Sequence, residues 1–152
     1  MKSISKLILV FIAVVAGLNT VKAQTSLKDD KADKAAEVKK YVQEKDYVFE
    51  ATNKGGMPLS YHKFDIAIAK DTLVADLPGH AGKIKFDCTN YGYSEWRGKN
   101  GNMEVMIKPN SQMADVKQIN MEITPQGHAM VKVERSHGGP LSLNGYVKQE
   151  DY

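Results

Sequence analysis

Cysteine is almost absent from this chain of 152 residues, in which Cys88 is alone. A disulfide bond within the chain is therefore excluded, even in an oxidising compartment. Cys88 alternates with Ile84 and Phe86, which predicts that its thiol points inward as a small apolar group. The alternatives are an intermolecular or reactive thiol, including a Cys88–His80 dyad.

Closely spaced metal ligands are lacking as well. The sequence contains neither H-x-x-x-H nor C-x-x-C, and its four histidines are scattered over different predicted strands and turns. A metal site needs converging ligands, usually at short spacings, so we predict no metal site and no cofactor. The glycine next to each of His80, His128 and His137 indicates exposed turn residues.

Catalytic motifs are also missing. There is no nucleophile elbow G-x-S-x-G, and the glycine pair Gly55–Gly56 precedes a strand pattern, whereas a phosphate loop precedes a helix. Asp76, Asp87 and Glu95 could supply paired carboxylates, although outward charges on strands commonly serve solvation. We predict no catalytic residues, and an enzyme is the less favoured reading.

An excess of charge is confined to the beginning of the chain. The full sequence has 21 Lys and Arg against 18 Asp and Glu, a net charge of +3. Lys2, Lys6 and Lys22 lie among the first 23 residues, which contain no acid, so the remainder carries 18 charges of each sign. A nucleic-acid partner, which would require a basic stripe, is therefore not expected.

No apolar run is long enough to span a bilayer. Leu7–Leu18 is uncharged but covers about a dozen residues, where a span needs about 20. It follows two lysines and precedes Val21-Lys22-Ala23, which suits signal peptidase. We predict a signal peptide over residues 1–23, a periplasmic or secreted location, and no membrane span after cleavage. The alternative is a membrane anchor.

Residues 24–152 are predicted to form a single globular domain after a short disordered leader that begins at Gln24. Ser26 to Asp29 fits a capping box, and no Gly or Pro occurs from there to Lys45. An amphipathic helix with a narrow apolar stripe is indicated by residues at helical spacing: Ala35, Val38, Tyr41 and Val42.

The spacing of apolar residues changes at Tyr47 from the helical period of 3.6 residues to the strand period of 2 residues. Short alternating segments then follow one another between turn residues, which is typical of antiparallel strands with one wet face. We predict an α+β, mainly β fold in which the N-terminal helix packs on an antiparallel sheet of about eight strands, sandwich or barrel-like. The predicted core positions are Tyr47, Phe49, Ala51, Phe64, Ile66, Ile68, Ile84, Phe86, Met103, Val105, Ile107, Ile119, Met121, Ile123, Ala129, Val131, Val133, Leu141, Leu143, Gly145 and Val147.

Two stretches are candidate binding regions. The corner from Leu77 to Phe86 contains His80, and its alternation predicts that Leu77 and Phe86 are buried while Lys83 and Lys85 are exposed. The second stretch groups three aromatic residues, whose alternative role is core packing. The candidate binding residues are His80, Tyr91, Tyr93 and Trp96.

Four short segments carry a resemblance to a known family: Tyr47-Val-Phe-Glu-Ala51, Leu77-Pro-Gly79 followed by Phe86, Ile123-Thr-Pro-Gln-Gly-His-Ala129, and Leu143-Asn-Gly-Tyr-Val147. In order and spacing the chain resembles the secreted proteins of Gram-negative bacteria with domain of unknown function 4251. The resemblance implies a fold and a location but no activity. His80 and Ala81 stand where the family's corner usually carries aromatic or larger residues.

The function expected from these observations is that of an exported, non-enzymatic domain that binds a ligand or an envelope or extracellular partner. One alternative is a hydrolase that acts on envelope or extracellular polymers with dispersed catalytic residues. Another is a structural component of an envelope complex.

Overall fold

The computed structural model describes residues 29–60, 63–79, 83–87, 93–109 and 115–149, except for five side chains: Phe86, Asp87, Tyr93, Ser94 and Trp96. The chain divides into two compact units, Met1–Lys34 and Ala35–Tyr152. The predicted signal peptide, the leader and Cys88 lie outside the described residues. Within the described part, no helix is long and apolar enough to cross a membrane.

Helix α1 comprises residues 29–44. The predicted stripe is confirmed at Val38, Tyr41 and Val42, which are buried, whereas Ala35 is only partly buried. The helix ends at Lys45, whose φ of 54° is left-handed and whose N–H donates to the Val42 carbonyl at 3.1 Å. This turn leads directly into the first strand.

The strands form one antiparallel sheet with the order β5-β4-β3-β1-β10-β9-β8-β7-β6, to which β2 adds beside β1. This sheet curls into a half-barrel, which confirms the predicted fold class and decides between its two variants in favour of the barrel-like one. No pairing joins β5 to β6 among the described residues. The strands are β1 Asp46–Lys54, β2 Met57–Pro58, β3 Asp65–Ala69, β4 Thr72–Ala75, β5 Ile84–Asp87, β6 Tyr93–Arg97, β7 Met103–Ile107, β8 Val116–Ile123, β9 His128–Arg135 and β10 Leu141–Gln149, with a 3-10 turn at Lys99–Gly101.

The core lies on the face of the sheet that α1 covers. The period-2 alternation predicted for β1, β3, β7, β8, β9 and β10 is confirmed, because their predicted core positions are buried, apart from a partly buried Ala51. Phe64, predicted as a core position, precedes β3 and is half-buried. The buried side chains include Tyr47, Phe49, Ile66, Ile68, Val105, Ile107, Ile119, Ile123, Val131, Val133 and Leu143.

The corner after β4 is partly described. Leu77 is fully buried, and Lys83 and Lys85 are exposed, as predicted. The side chain of Phe86 lies outside the description. Arg135 of β9 connects this corner to the rest of the sheet, because its Nη2 donates a hydrogen bond to the Pro78 carbonyl oxygen at 2.6 Å.

Tyr41 fixes α1 to the last strand. Its hydroxyl donates to the Val147 carbonyl oxygen at 3.1 Å, and its ring centroid lies 6.4 Å from that of Tyr47. Burial, reinforced by the Glu37 carboxylate, raises the pKa of Tyr41 from its ordinary 10.0 to about 12. The helix is therefore docked through a protonated phenol.

Stability is expected to decline at alkaline pH because Tyr41 has a higher pKa in the folded state. Its contribution is fully present below the unfolded pKa of 10.0 and is lost as the pH rises through about 12. Urea unfolding at several pH values between these limits measures the decline. Tyr41→Phe should remove the part of the decline that comes from the Tyr41 hydroxyl. The same pH dependence in both proteins would show that docking does not need the phenolic proton.

Candidate functional site

The residues predicted to bind from sequence are not assembled into a site by the described structure. His80 and Tyr91 lie outside the described residues. Tyr93 and Trp96 belong to β6, where the register pairs them with Ile107 and Glu104, and their side chains are not described. The predicted role of these four residues in binding therefore stays a prediction.

A cleft lies beside β6, on the side of the sheet that α1 covers. It has a volume of about 440 Å³. Its lining combines a small apolar floor with long polar side chains: Ala35, Lys39, Gln43, Glu95, Arg97, Gly101, Met103 and Pro125. We call it the helix-edge cleft.

The opposite face of the sheet, the outer face, carries the exposed apolar side chains Met130 and Tyr146, which are 58% and 50% exposed. They belong to the neighbouring strands β9 and β10. The register pairs Met130 with Asn144 and Tyr146 with His128, so they occupy adjacent rows. Exposed apolar side chains that adjoin one another are a common mark of a binding surface.

A depression of about 350 Å³ lies between these two side chains and β1. At its aromatic end the ring centroids of His128 and Tyr146 are 4.6 Å apart, with the planes tilted by 45°. At its polar end Asn144 Nδ2 donates to Asn53 Oδ1 at 3.0 Å. The lining residues are Thr52, Asn53, Glu122, Thr124, His128, Ala129, Met130, Asn144, Gly145 and Tyr146.

A second depression, of about 320 Å³, continues the first toward β7. The two share Glu122 and Met130, and we call them together the outer-face groove. The groove crosses from β1 to β7 over four inter-strand steps, which is about 19 Å at about 4.8 Å per step. The second depression is lined by Glu104, Val105, Asn120, Met121, Glu122, Met130 and Lys132.

A β-bulge shapes the polar end of the groove. The register between β1 and β10 shifts between Ala51 and Asn53, so Thr52 is an extra residue on the bulged strand. Its Oγ1 donates to the Asn144 carbonyl oxygen at 3.1 Å. Gly145 permits this arrangement, because a Cβ there would overlap the backbone of Glu50.

The charged groups of the groove are mostly carboxylates. The register places Glu104 opposite Glu122, and Glu122 Oε1 accepts a hydrogen bond from Asn102 Nδ2 at 2.7 Å. Lys132 lies 3.6 Å from a Glu134 carboxylate oxygen. No group of three or more His, Cys, Asp or Glu side chains in the described residues is arranged to hold a metal ion.

Two of the histidines that were predicted in turns are described. Both are exposed, as predicted. His128, however, is the first residue of β9 and lines the groove, which its predicted position in a turn did not indicate. His137 donates its N–H to Asp115 Oδ1 at 2.7 Å. Burial opposes the shift, yet the hydrogen bonds from His137 and Ser136 lower the pKa of Asp115 below its ordinary 3.8.

Comparison with known proteins identifies the family. A family model for a domain of unknown function (DUF4251) matches residues 29–147. The chain is also similar to the crystal structure of a DUF4251 family protein from Bacteroides eggerthii DSM 20697, with 14% sequence identity, a TM-score of 0.53, and coverage of 78% of this chain and 89% of that chain. At this identity the likeness shows the fold alone, and no curated protein matches the chain. The chain belongs to the DUF4251 family.

Proposed function

We propose that the protein is an exported, non-enzymatic domain that binds a ligand or an envelope or extracellular partner in the outer-face groove. The observation that carries the proposal is the pair of exposed apolar side chains in two joined depressions: Met130 lines both depressions, and Tyr146 lines the first. Binding sites combine apolar contact area with a few polar groups that fix orientation. The groove supplies both.

The outer-face groove is a better candidate than the helix-edge cleft. The groove contains two of the three large apolar side chains that are most exposed in the described part of the chain, whereas the cleft contains none of them. Long side chains such as Lys39 and Arg97 line the cleft, and ordering them on binding costs conformational entropy. Most of the groove's polar side chains are the shorter Asn and Thr, and hydrogen bonds already hold Asn53, Asn144 and Glu122.

Export is supported by the first residues of the sequence. Lys2 and Lys6 precede the apolar run Leu7–Leu18, and the predicted cleavage site follows at Ala23. These residues support a function in the periplasm or outside the cell.

A hydrolase acting on envelope or extracellular polymers is the second candidate, and the opposed pair Glu104 and Glu122 favours it. Two facing carboxylates can serve as acid and nucleophile in glycoside hydrolysis. Binding without turnover is the stronger proposal for two reasons. Glu122 already accepts a hydrogen bond from the side-chain amide of Asn102. It is also exposed on the outer face, where water weakens electrostatic effects on a reacting bond.

Photo-crosslinking in the cells that make the protein tests the proposed function. A benzophenone amino acid in place of Met130 should crosslink an occupant, because this side chain joins the two depressions. The same group in place of Met57, which is 68% exposed and outside the groove, is the matched control and should not. The mass of the recovered protein checks export, since the mature chain should begin at Gln24.

Equal crosslinking at both positions would contradict a site in the groove. Reproducible cleavage of a polymer by the purified protein, lost in Glu104→Gln, would replace the binding proposal with the hydrolase.

A further inference from the structure

The outer-face groove crosses strands that are paired on both sides. In the sheet β8, β9 and β10 each lie between two neighbours, so their backbone N–H and C=O groups are engaged in the ladders. A peptide that binds by strand addition needs an exposed sheet edge, which this part of the sheet does not offer. Hydrogen bonds to an occupant of the groove must therefore come from side chains.

Most of those side chains are polar and uncharged. They are Thr52, Asn53, Asn120, Thr124 and Asn144. The charged residues are Glu104, Glu122 and Lys132, and Lys132 lies beside Glu134. Two carboxylates and one lysine give the groove more negative than positive groups. This balance disfavours an anionic occupant, while the uncharged side chains offer donors and acceptors to a neutral one.

Tyr146 supplies an apolar platform at one end of the groove. Its side chain is half exposed, and the contact with His128 supports its ring, which lowers the conformational entropy that binding costs. An occupant that suits this surface has an apolar face to lie on the ring and hydroxyl groups around its rim. A pyranose ring combines these features, because its C–H groups form an apolar face while its hydroxyls project at the edge.

We propose that the occupant is a neutral glycan chain, an inference that rests on the proposed binding function of the groove. One sugar unit stacks on Tyr146, and the chain passes Met130 into the second depression toward Asn120 and Glu104. The groove extends about 19 Å across the sheet, so several linked units are needed to contact both depressions. A single sugar contacts only one.

The test is a binding measurement on the purified exported protein. An array of neutral oligosaccharides identifies the best one, and its affinity is then compared by calorimetry with that of its constituent monosaccharide and of an oligogalacturonate, which is acidic. We expect the neutral oligosaccharide to bind at least about tenfold more tightly than either. Tyr146→Ala should weaken its binding at least about tenfold because an aromatic anchor is lost, whereas Tyr146→Phe should retain most of it.

Met57→Ala, which removes a comparably exposed apolar side chain outside the groove, is the control and should bind as the original protein does. Circular dichroism spectra confirm that each variant is folded. The inference is overturned if no neutral oligosaccharide on the array binds, or if binding is the same in Tyr146→Ala.

The two proposals fail separately. A protein or lipid crosslinked at position 130 overturns the glycan assignment and leaves the groove as a binding site. Glycan binding that is unaffected by Tyr146→Ala, together with no crosslink at position 130, overturns the site itself.

Discussion

Replacing Gly145 with alanine is expected to destabilise the protein by at least about 3 kcal/mol, the upper part of the usual range for overpacking a core. A Cβ at Gly145 would overlap the carbonyl group of Glu50 and press on Ala51 Cα. These are backbone atoms of the neighbouring strand, so no side-chain rotation relieves the overlap. The strands must separate where β1 joins β10. Urea unfolding measures the loss.

Gly139→Ala is the matched control for this substitution. Apart from its two chain neighbours, no residue has an atom within 4 Å of the position that its Cβ would occupy, and its φ is outside the left-handed region. Its effect should stay within about 0.5 kcal/mol, as is usual for surface changes. If the two variants unfold at the same urea concentration, β1 and β10 do not approach as closely at Gly145 as described.

The sequence was sufficient to predict the buried face of the sheet, because this property depends on local alternation. Side chains on a strand point to opposite faces in turn, so Leu77 on one side of the corner and Lys83 and Lys85 on the other could be placed without knowing which strands pair. The helical stripe through Val38 and Tyr41 is equally local. Both predictions depend only on the spacing of apolar residues.

The candidate site could not be predicted in the same way, since it depends on strand pairing. Asn53 and Asn144 are 91 positions apart in sequence, and they meet only because the bulge after Ala51 aligns β1 with β10. His128 was predicted to be a turn residue because it follows Gly127, whereas the strand register places it beside Tyr146. Tyr91, Tyr93 and Trp96 were predicted to bind because these aromatic residues are neighbours along the chain.

One signal in the sequence did point to the groove. Along Leu141, Leu143, Gly145 and Val147 the apolar positions alternate, and Tyr146 breaks the pattern because it occupies a polar position. An aromatic residue with outward parity on a strand has a side chain that the core does not use. The sequence contains no comparable signal for choosing between a sandwich and a barrel-like sheet. Alternation shows that one face of the sheet is buried but not which element covers it.

Replacing Phe49 with alanine should cost about 3–5 kcal/mol, a large share of the roughly 5–15 kcal/mol that stabilises a typical domain. Phe49 is fully buried in β1, where the register pairs it with Ile66 on one side and Val147 on the other. Truncation leaves a cavity in the core that the paired backbones on both sides cannot close. Urea unfolding of the variant should show an earlier midpoint with an unchanged dependence on denaturant.

Tyr146→Ala is the matched comparison for Phe49→Ala, because both remove an aromatic ring from the same pair of strands. Tyr146 is half exposed and pairs with Glu50, the residue next to Phe49. Its loss should therefore cost less than about 1 kcal/mol, the usual worth of a cross-strand pair. Equal destabilisation by the two variants would mean that the faces of β1 are assigned wrongly. A large difference would establish that Tyr146 is not needed for folding, so that a loss of glycan binding in Tyr146→Ala reports on the groove alone.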